Sequence, residues 1–64
     1  MQYTVLCELN EDGWWVGEVR ELRGCRGEVP RLAFMAERVR DELAKVVEDA
    51  SAADIVLNVR RPPG

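Results

Sequence analysis

Asn10-Glu11-Asp12-Gly13-Trp14-Trp15 is the stretch whose reading decides the fold. Before it, Tyr3, Val5, Cys7 and Leu9 alternate with Thr4, Leu6 and Glu8, the period-two pattern of a half-buried strand with its odd positions inward. A three-residue loop, Glu11-Asp12-Gly13, puts Gly13 at the left-handed position that such hairpins need. Asn10 then pairs with Trp14, and Val5, Cys7 and Leu9 share a face with Val19, Gly17 and Trp15. The competing register, Leu9 opposite Trp14, would set Glu18 opposite Val5 and Arg20 opposite Tyr3 on the buried face. A slip of one residue exchanges every side chain between faces, so the first register is expected.

Its consequence is an outward face carrying Thr4, Leu6, Glu8, Trp14, Val16, Glu18 and Arg20. Leu6, Trp14 and Val16 are more apolar than a solvated sheet face needs. Trp14 and Trp15 are strand neighbours and point to opposite faces. Trp15 is expected beneath a helix, whereas Trp14 either covers its own hairpin or anchors an interface.

Downstream, Leu32, Met35, Ala36, Val39, Leu43, Val46, Val47 and Ala50 recur at spacings of three and four, which predicts one amphipathic helix over Leu32–Ala50. Pro30 suits its first turn, and Asp41 precedes Lys45 by four residues, a favourable surface pair. Phe34 falls off the stripe and is either wrapped by the preceding loop or exposed. Ile55, Leu57 and Val59 alternate with Val56, Asn58 and Arg60, predicting a strand over Asp54–Arg60. A helix between strands is the usual parallel crossover, so this strand belongs beside the first and brings Val56 onto the outward face. The stretch Cys25–Val29 either adds a short edge strand or stays a loop, Gly27 being its weak point. The expected fold is α+β, a three- or four-stranded sheet with one helix packed on one face, in the order β-β-(β)-α-β. One domain over 1–60 and a flexible Arg-Pro-Pro-Gly tail over 61–64 account for the chain.

Sixty-four residues lie near the lower limit for folding without a disulfide or a metal, so a second copy or a partner is a reasonable source of stability. The net charge is −3, which opposes approach to phosphate backbones and suits a basic protein partner. Arg20, Arg23, Arg26 and Arg31 are close in sequence and are read as solvated loop charges. No signal peptide precedes the first strand and no apolar run approaches the roughly 20 residues of a membrane span, so a cytoplasmic location is expected. Cys7 and Cys25 then read as small buried hydrophobes rather than a disulfide, with Cys25 the more exposed of the two. The chain has no histidine to serve as a base or a zinc ligand. Glu8, Asp12, Glu18 and Asp54 are the only carboxylates in or beside the strands that a metal nuclease would use, and one pair on one face is too few.

Three stretches carry a family resemblance: Tyr3-Thr4-Val5, Asp12-Gly13-Trp14-Trp15-Val16, and the step Leu22-Arg23-Gly24-Cys25 between hairpin and helix. Together with the helix and last strand, this order resembles the small HicB-like antitoxin domain. Arg20 and Arg23 stand where prolines are common in that family, and Arg26–Pro30 lacks its usual Thr-x-Gly segment. The resemblance implies a truncated ribonuclease-H-like sheet and a non-catalytic protein-binding module without cofactor or metal. It implies as partner a small basic HicA-type toxin that cleaves messenger RNA and is neutralised by occlusion, opposite charges speeding the encounter. Operator binding is not expected, since the sequence ends after the last strand. The candidate partner-binding residues are Leu6, Trp14, Val16 and Val56, with homo-oligomerisation expected. The alternatives are an orphan homo-oligomeric scaffold, or a nucleic-acid-binding protein using the Arg20–Arg31 region.

Overall fold

Gly13 adopts φ +84°, the left-handed conformation its loop requires, and the hairpin follows from it. Here a computed structural model describes residues 1–60; the tail expected over 61–64 lies outside the described residues. Strand β1 (Gln2–Leu9) pairs antiparallel with β2 (Trp15–Val19), Leu9 opposite Trp15, Cys7 opposite Gly17 and Val5 opposite Val19. Asn10 closes the loop twice over. Its carbonyl accepts the Gly13 N–H at 3.1 Å, and its side-chain Oδ1 accepts the N–H groups of Asp12 at 3.0 Å and Trp14 at 2.9 Å.

The Leu22-Arg23-Gly24-Cys25 step is a turn with a physical logic of its own. The Leu22 carbonyl accepts the Cys25 N–H at 3.2 Å, and Gly24, third of the four residues, has φ +85°. Positive φ at that position is what a type II turn demands. Val19 donates to the Cys25 carbonyl at 2.9 Å, so the turn hands the chain from β2 directly to β3 (Arg26–Val29). Arg20 donates to the Thr4 carbonyl at 2.8 Å just beyond the end of β2, while the Thr4 N–H finds its acceptor in the Glu21 carboxylate, also at 2.8 Å. That hydrogen bond holds the Glu21 carboxyl below its ordinary value.

β3 runs antiparallel to β2, and β4 (Asp54–Arg60) runs parallel to β1 with Tyr3 opposite Ile55 and Cys7 opposite Val59. The four strands form one mixed sheet in the order β3-β2-β1-β4, with helix α1 (Met35–Leu43) on one face. The fold is therefore α+β, and Arg26–Val29 is the fourth strand. Gly27 does not prevent the strand from forming. It lies opposite Gly17, and a β-carbon on Gly27 would stand 2.7 Å from Cγ of Arg38, so the two glycines clear a lane in which the helix settles.

The helix is shorter than its apolar stripe. A helix spanning all of Leu32–Ala50 would run about 28 Å, whereas the short strands beneath it span only about 15 Å. The chain must also drop to sheet level where Asp54 meets Gln2, the first pair of the β1–β4 ladder. Accordingly Leu32–Phe34 forms one 3-10 turn, the α-helix occupies nine residues, and Ala50–Ala52 forms a second 3-10 turn. The break falls at Leu43, whose carbonyl accepts both the Val46 and Val47 N–H groups. Val46 leaves the stripe and is 64% exposed, while Val47 stays half-buried and Ala50 is buried. Pro30 precedes the helical turns instead of starting them, Phe34 is 49% exposed, and Lys45 reaches Glu42 at 3.3 Å rather than Asp41.

Val5, Cys7 and Val19 from the sheet meet Met35, Val39 and Leu43 from α1 in the centre of the core. Both cysteines are free and buried, Cys25 at 8% exposure being the more exposed of the two. Trp15 lies on the helix side as expected but is only half-buried at the end of the sheet. Met35, not Trp15, fills the space above β2.

Candidate interaction face

Strand alternation puts the odd residues of β1 and β4 under the helix side and leaves an opposite face that no other element covers among the described residues. This open face carries Thr4, Leu6 and Glu8 from β1, Val16 and Glu18 from β2, Arg26 and Glu28 from β3, and Val56, Asn58 and Arg60 from β4. Leu6 is 39% exposed, Val56 42% and Trp14 44%, while Val16 is half-buried. Leu6 and Val56 are thus large apolar side chains left open to solvent on a sheet face.

The structure brings Leu6 and Val16 together. They form the floor of a shallow depression of about 310 Å³, walled by Glu8, Glu18, Arg26 and Arg60. Trp14, paired with Asn10 where the hairpin turns, lies off one end of this depression, and Val56, beside Thr4, lies off the other. The four residues thus mark a diagonal across the face, with a cupped centre and two apolar flanks. Its charged wall was missed by the apolar pattern alone. Glu8 pairs with Arg60 at 3.3 Å because parallel β1–β4 pairing sets those positions opposite, and Arg26 stands opposite Glu18. The parallel register was the signal that could have found it.

Two further depressions lie elsewhere. One of about 420 Å³ is lined by Met1, Tyr3, Val47, Glu48, Asp49, Ala52 and Ala53, where the Tyr3 hydroxyl donates to the Met1 sulfur at 2.9 Å. The other, about 260 Å³, lies between the Leu22–Cys25 turn and the helix end at Glu42, Lys45 and Val46. Arg23 borders that second depression, whereas Arg26 borders the open-face one. Arg23 and Arg26 therefore border different surfaces.

Glu8 and Glu18 share the open face, Asp12 sits in the hairpin turn, and Asp54 starts β4 opposite Gln2. Among the described residues no three Cys, Asp or Glu side chains gather as a metal site would require. Burial pushes the Cys7 thiol above its ordinary value, and burial together with the nearby Glu42 carboxylate does the same for Cys25, which keeps both protonated at neutral pH. Among the described residues no helix is long and apolar enough to cross a membrane. Compared with known proteins, the chain matches no family model, no curated protein and no solved structure.

Proposed function

We propose that this chain is a non-catalytic protein-binding module of the HicB-like antitoxin kind, which neutralises a small basic HicA-type messenger-RNA-cleaving toxin by covering its RNA-binding surface. The observation that carries this reading is the open sheet face: apolar residues on a diagonal, cupped at the centre, with two acids and two bases around the cup. An apolar floor supplies burial, and the net charge of −3 favours a basic partner and speeds its approach. Occlusion needs no reacting group. The type II turn at Leu22–Cys25 gives the step that suggested the family a structural reason: its Leu and Cys face the core and its Gly supplies the positive φ.

The test is co-expression with the product of the small reading frame beside this gene, scored by growth rescue and by co-purification. Rescue with a stable complex is the expected outcome, and Leu6→Glu should abolish both while leaving the circular dichroism spectrum unchanged. A neighbour that is harmless, or that is toxic but neither rescued nor bound, sinks the antitoxin reading.

A further inference from the structure

The outer edge of β4 is a second, independent surface. In the order β3-β2-β1-β4, β4 pairs only with β1 among the described residues. Asp54 N–H donates to the Met1 carbonyl at 2.8 Å, so Asp54 directs its backbone groups towards β1. In a parallel ladder alternate residues do the same, and the ladder here runs from Gln2–Asp54 to Glu8–Arg60 without a bulge. The N–H and C=O groups of Ile55, Leu57 and Val59 therefore point outward, a row of donors and acceptors without a strand partner among the described residues.

Natural sheets blunt such edges with lysine, proline, a bulge or a short strand. β4 has none of these: it is seven residues long and reads Asp-Ile-Val-Leu-Asn-Val-Arg. Nor does the helix shield it. α1 packs chiefly on β3, at the far side of the sheet, and leaves Ile55, Leu57 and Val59 only half-buried on their own face. Free backbone groups, exposed apolar side chains and absent edge protection thus coincide on one strand.

We propose that β4 joins the β4 of a second copy of this chain, antiparallel about a twofold axis at Leu57, so that two four-stranded sheets become one continuous sheet. The sequence of the strand is complementary to itself in that arrangement. Leu57 faces Leu57 of the second copy, Ile55 faces Val59, and Val56 faces Asn58. Asp54 faces Arg60 at both ends, so each dimer gains two opposite-charge pairs on the open face. The outward backbone groups are those of the odd residues, and this register pairs odd with odd, as an antiparallel ladder requires. A parallel arrangement would instead set Asp54 against Asp54 and Arg60 against Arg60. Shifting the antiparallel register by two residues forfeits both ion pairs. The charges therefore select orientation and register, while the aliphatic residues and backbone supply the adhesion. The proposal stands apart from the antitoxin reading, because it uses the edge of the sheet and leaves Leu6, Val16 and Trp14 free, Val56 alone being common to both surfaces.

The experiment is the mass of the purified chain in solution by sedimentation equilibrium, for the wild type and a charge-swap set. The wild type should show twice the 7.3 kDa of one chain. Asp54→Arg and Arg60→Asp should each weaken the dimer about tenfold, since the twofold axis turns both attractive pairs repulsive at once. Combining the two substitutions should restore it, because the pairs are re-formed with signs exchanged. Asp54 and Arg60 are exposed, so the folded spectrum should not change. Leu57→Lys, which sets two ammonium groups against each other at the axis, should give a monomer. A wild type that stays monomeric at millimolar concentration overturns the proposal. So does a dimer indifferent to all the β4 changes, and one that Trp14→Asp alone dissociates would place the contact on the open face instead.

Discussion

Gly17 lies directly beneath Met35: a β-carbon on Gly17 would stand 2.6 Å from the Met35 sulfur and 2.8 Å from a methyl of Val5. Both neighbours are fully buried, so neither can swing into solvent to make room. Every other inward position of β2 carries a side chain, and the glycine is what lets the helix come down onto the sheet.

Gly17→Ala should therefore cost about 1–3 kcal/mol of stability through overpacking. Met35→Ala should cost about 2–5 kcal/mol through the opposite fault, a cavity. The double variant should lose less than the sum, because removing the methionine tip vacates the space the new methyl needs. Urea unfolding of the four proteins measures this, and strict additivity would show that the two positions do not compete for one volume.

Arg23 occupies the second position of the Leu22–Cys25 turn, where proline is preferred in type II geometry. Arg23→Pro should stabilise the fold by about 0.4–1 kcal/mol, by restricting the unfolded chain. Gly24→Ala should do the reverse, costing about 1–2 kcal/mol for a side chain held at φ +85°. Opposite shifts of the thermal midpoint check the pair, and a destabilising Arg23→Pro would mean the turn is not of this type.

Arg40 ties the connection between helix and last strand to α1. Its Nη1 donates to the carbonyls of Ala50 at 2.8 Å, Ser51 at 3.1 Å and Ala53 at 3.1 Å. Arg40→Met keeps the aliphatic stem and removes the donors, and should cost about 1.5–3 kcal/mol. Hydrogen exchange should accelerate first across 44–53. Uniform acceleration across the whole chain would assign Arg40 a global role instead.

The buried thiols set an alkaline limit. Their folded-state values lie above the ordinary 9.0, so their contribution is complete below about pH 9 and is lost as pH rises through the folded values. The unfolded chain ionises first, and stability falls. Urea midpoints at pH 8 and pH 10.5 should differ by more in the wild type than in a Cys7→Ala/Cys25→Ala variant. Identical slopes would show that neither thiol is held neutral by the fold.

Trp15 is half-buried at the sheet end, so Trp15→Ala should cost about 2 kcal/mol, below the range of a fully buried aromatic. A loss above about 4 kcal/mol would return it to the centre of the core, and chemical denaturation distinguishes the two.

Local chemistry made the strands legible. Alternation located β1 and β4, Gly13 set the hairpin register, and the helix between strands placed β4 parallel beside β1. From those pairings Leu6, Val16 and Val56 could be put on one face before any coordinates, because alternation across a known register leaves no freedom. The helix length was not legible in the same way. Val46, Val47 and Ala50 continue the apolar stripe, but the place where a helix ends depended on how far the chain had to travel to reach Gln2 and Asp54.

The sequence by itself determined which residues face together, since side-chain direction along a strand follows from the backbone alone. Only the tertiary structure decided which of those faces is covered and by what. Met35 over Gly17 in place of Trp15, Arg40 against three carbonyls, Glu8 against Arg60, and a last strand left with a bare edge all arise between segments far apart in the chain. Such contacts are set by the distances and volumes among packed elements, and no local pattern of residues encodes them.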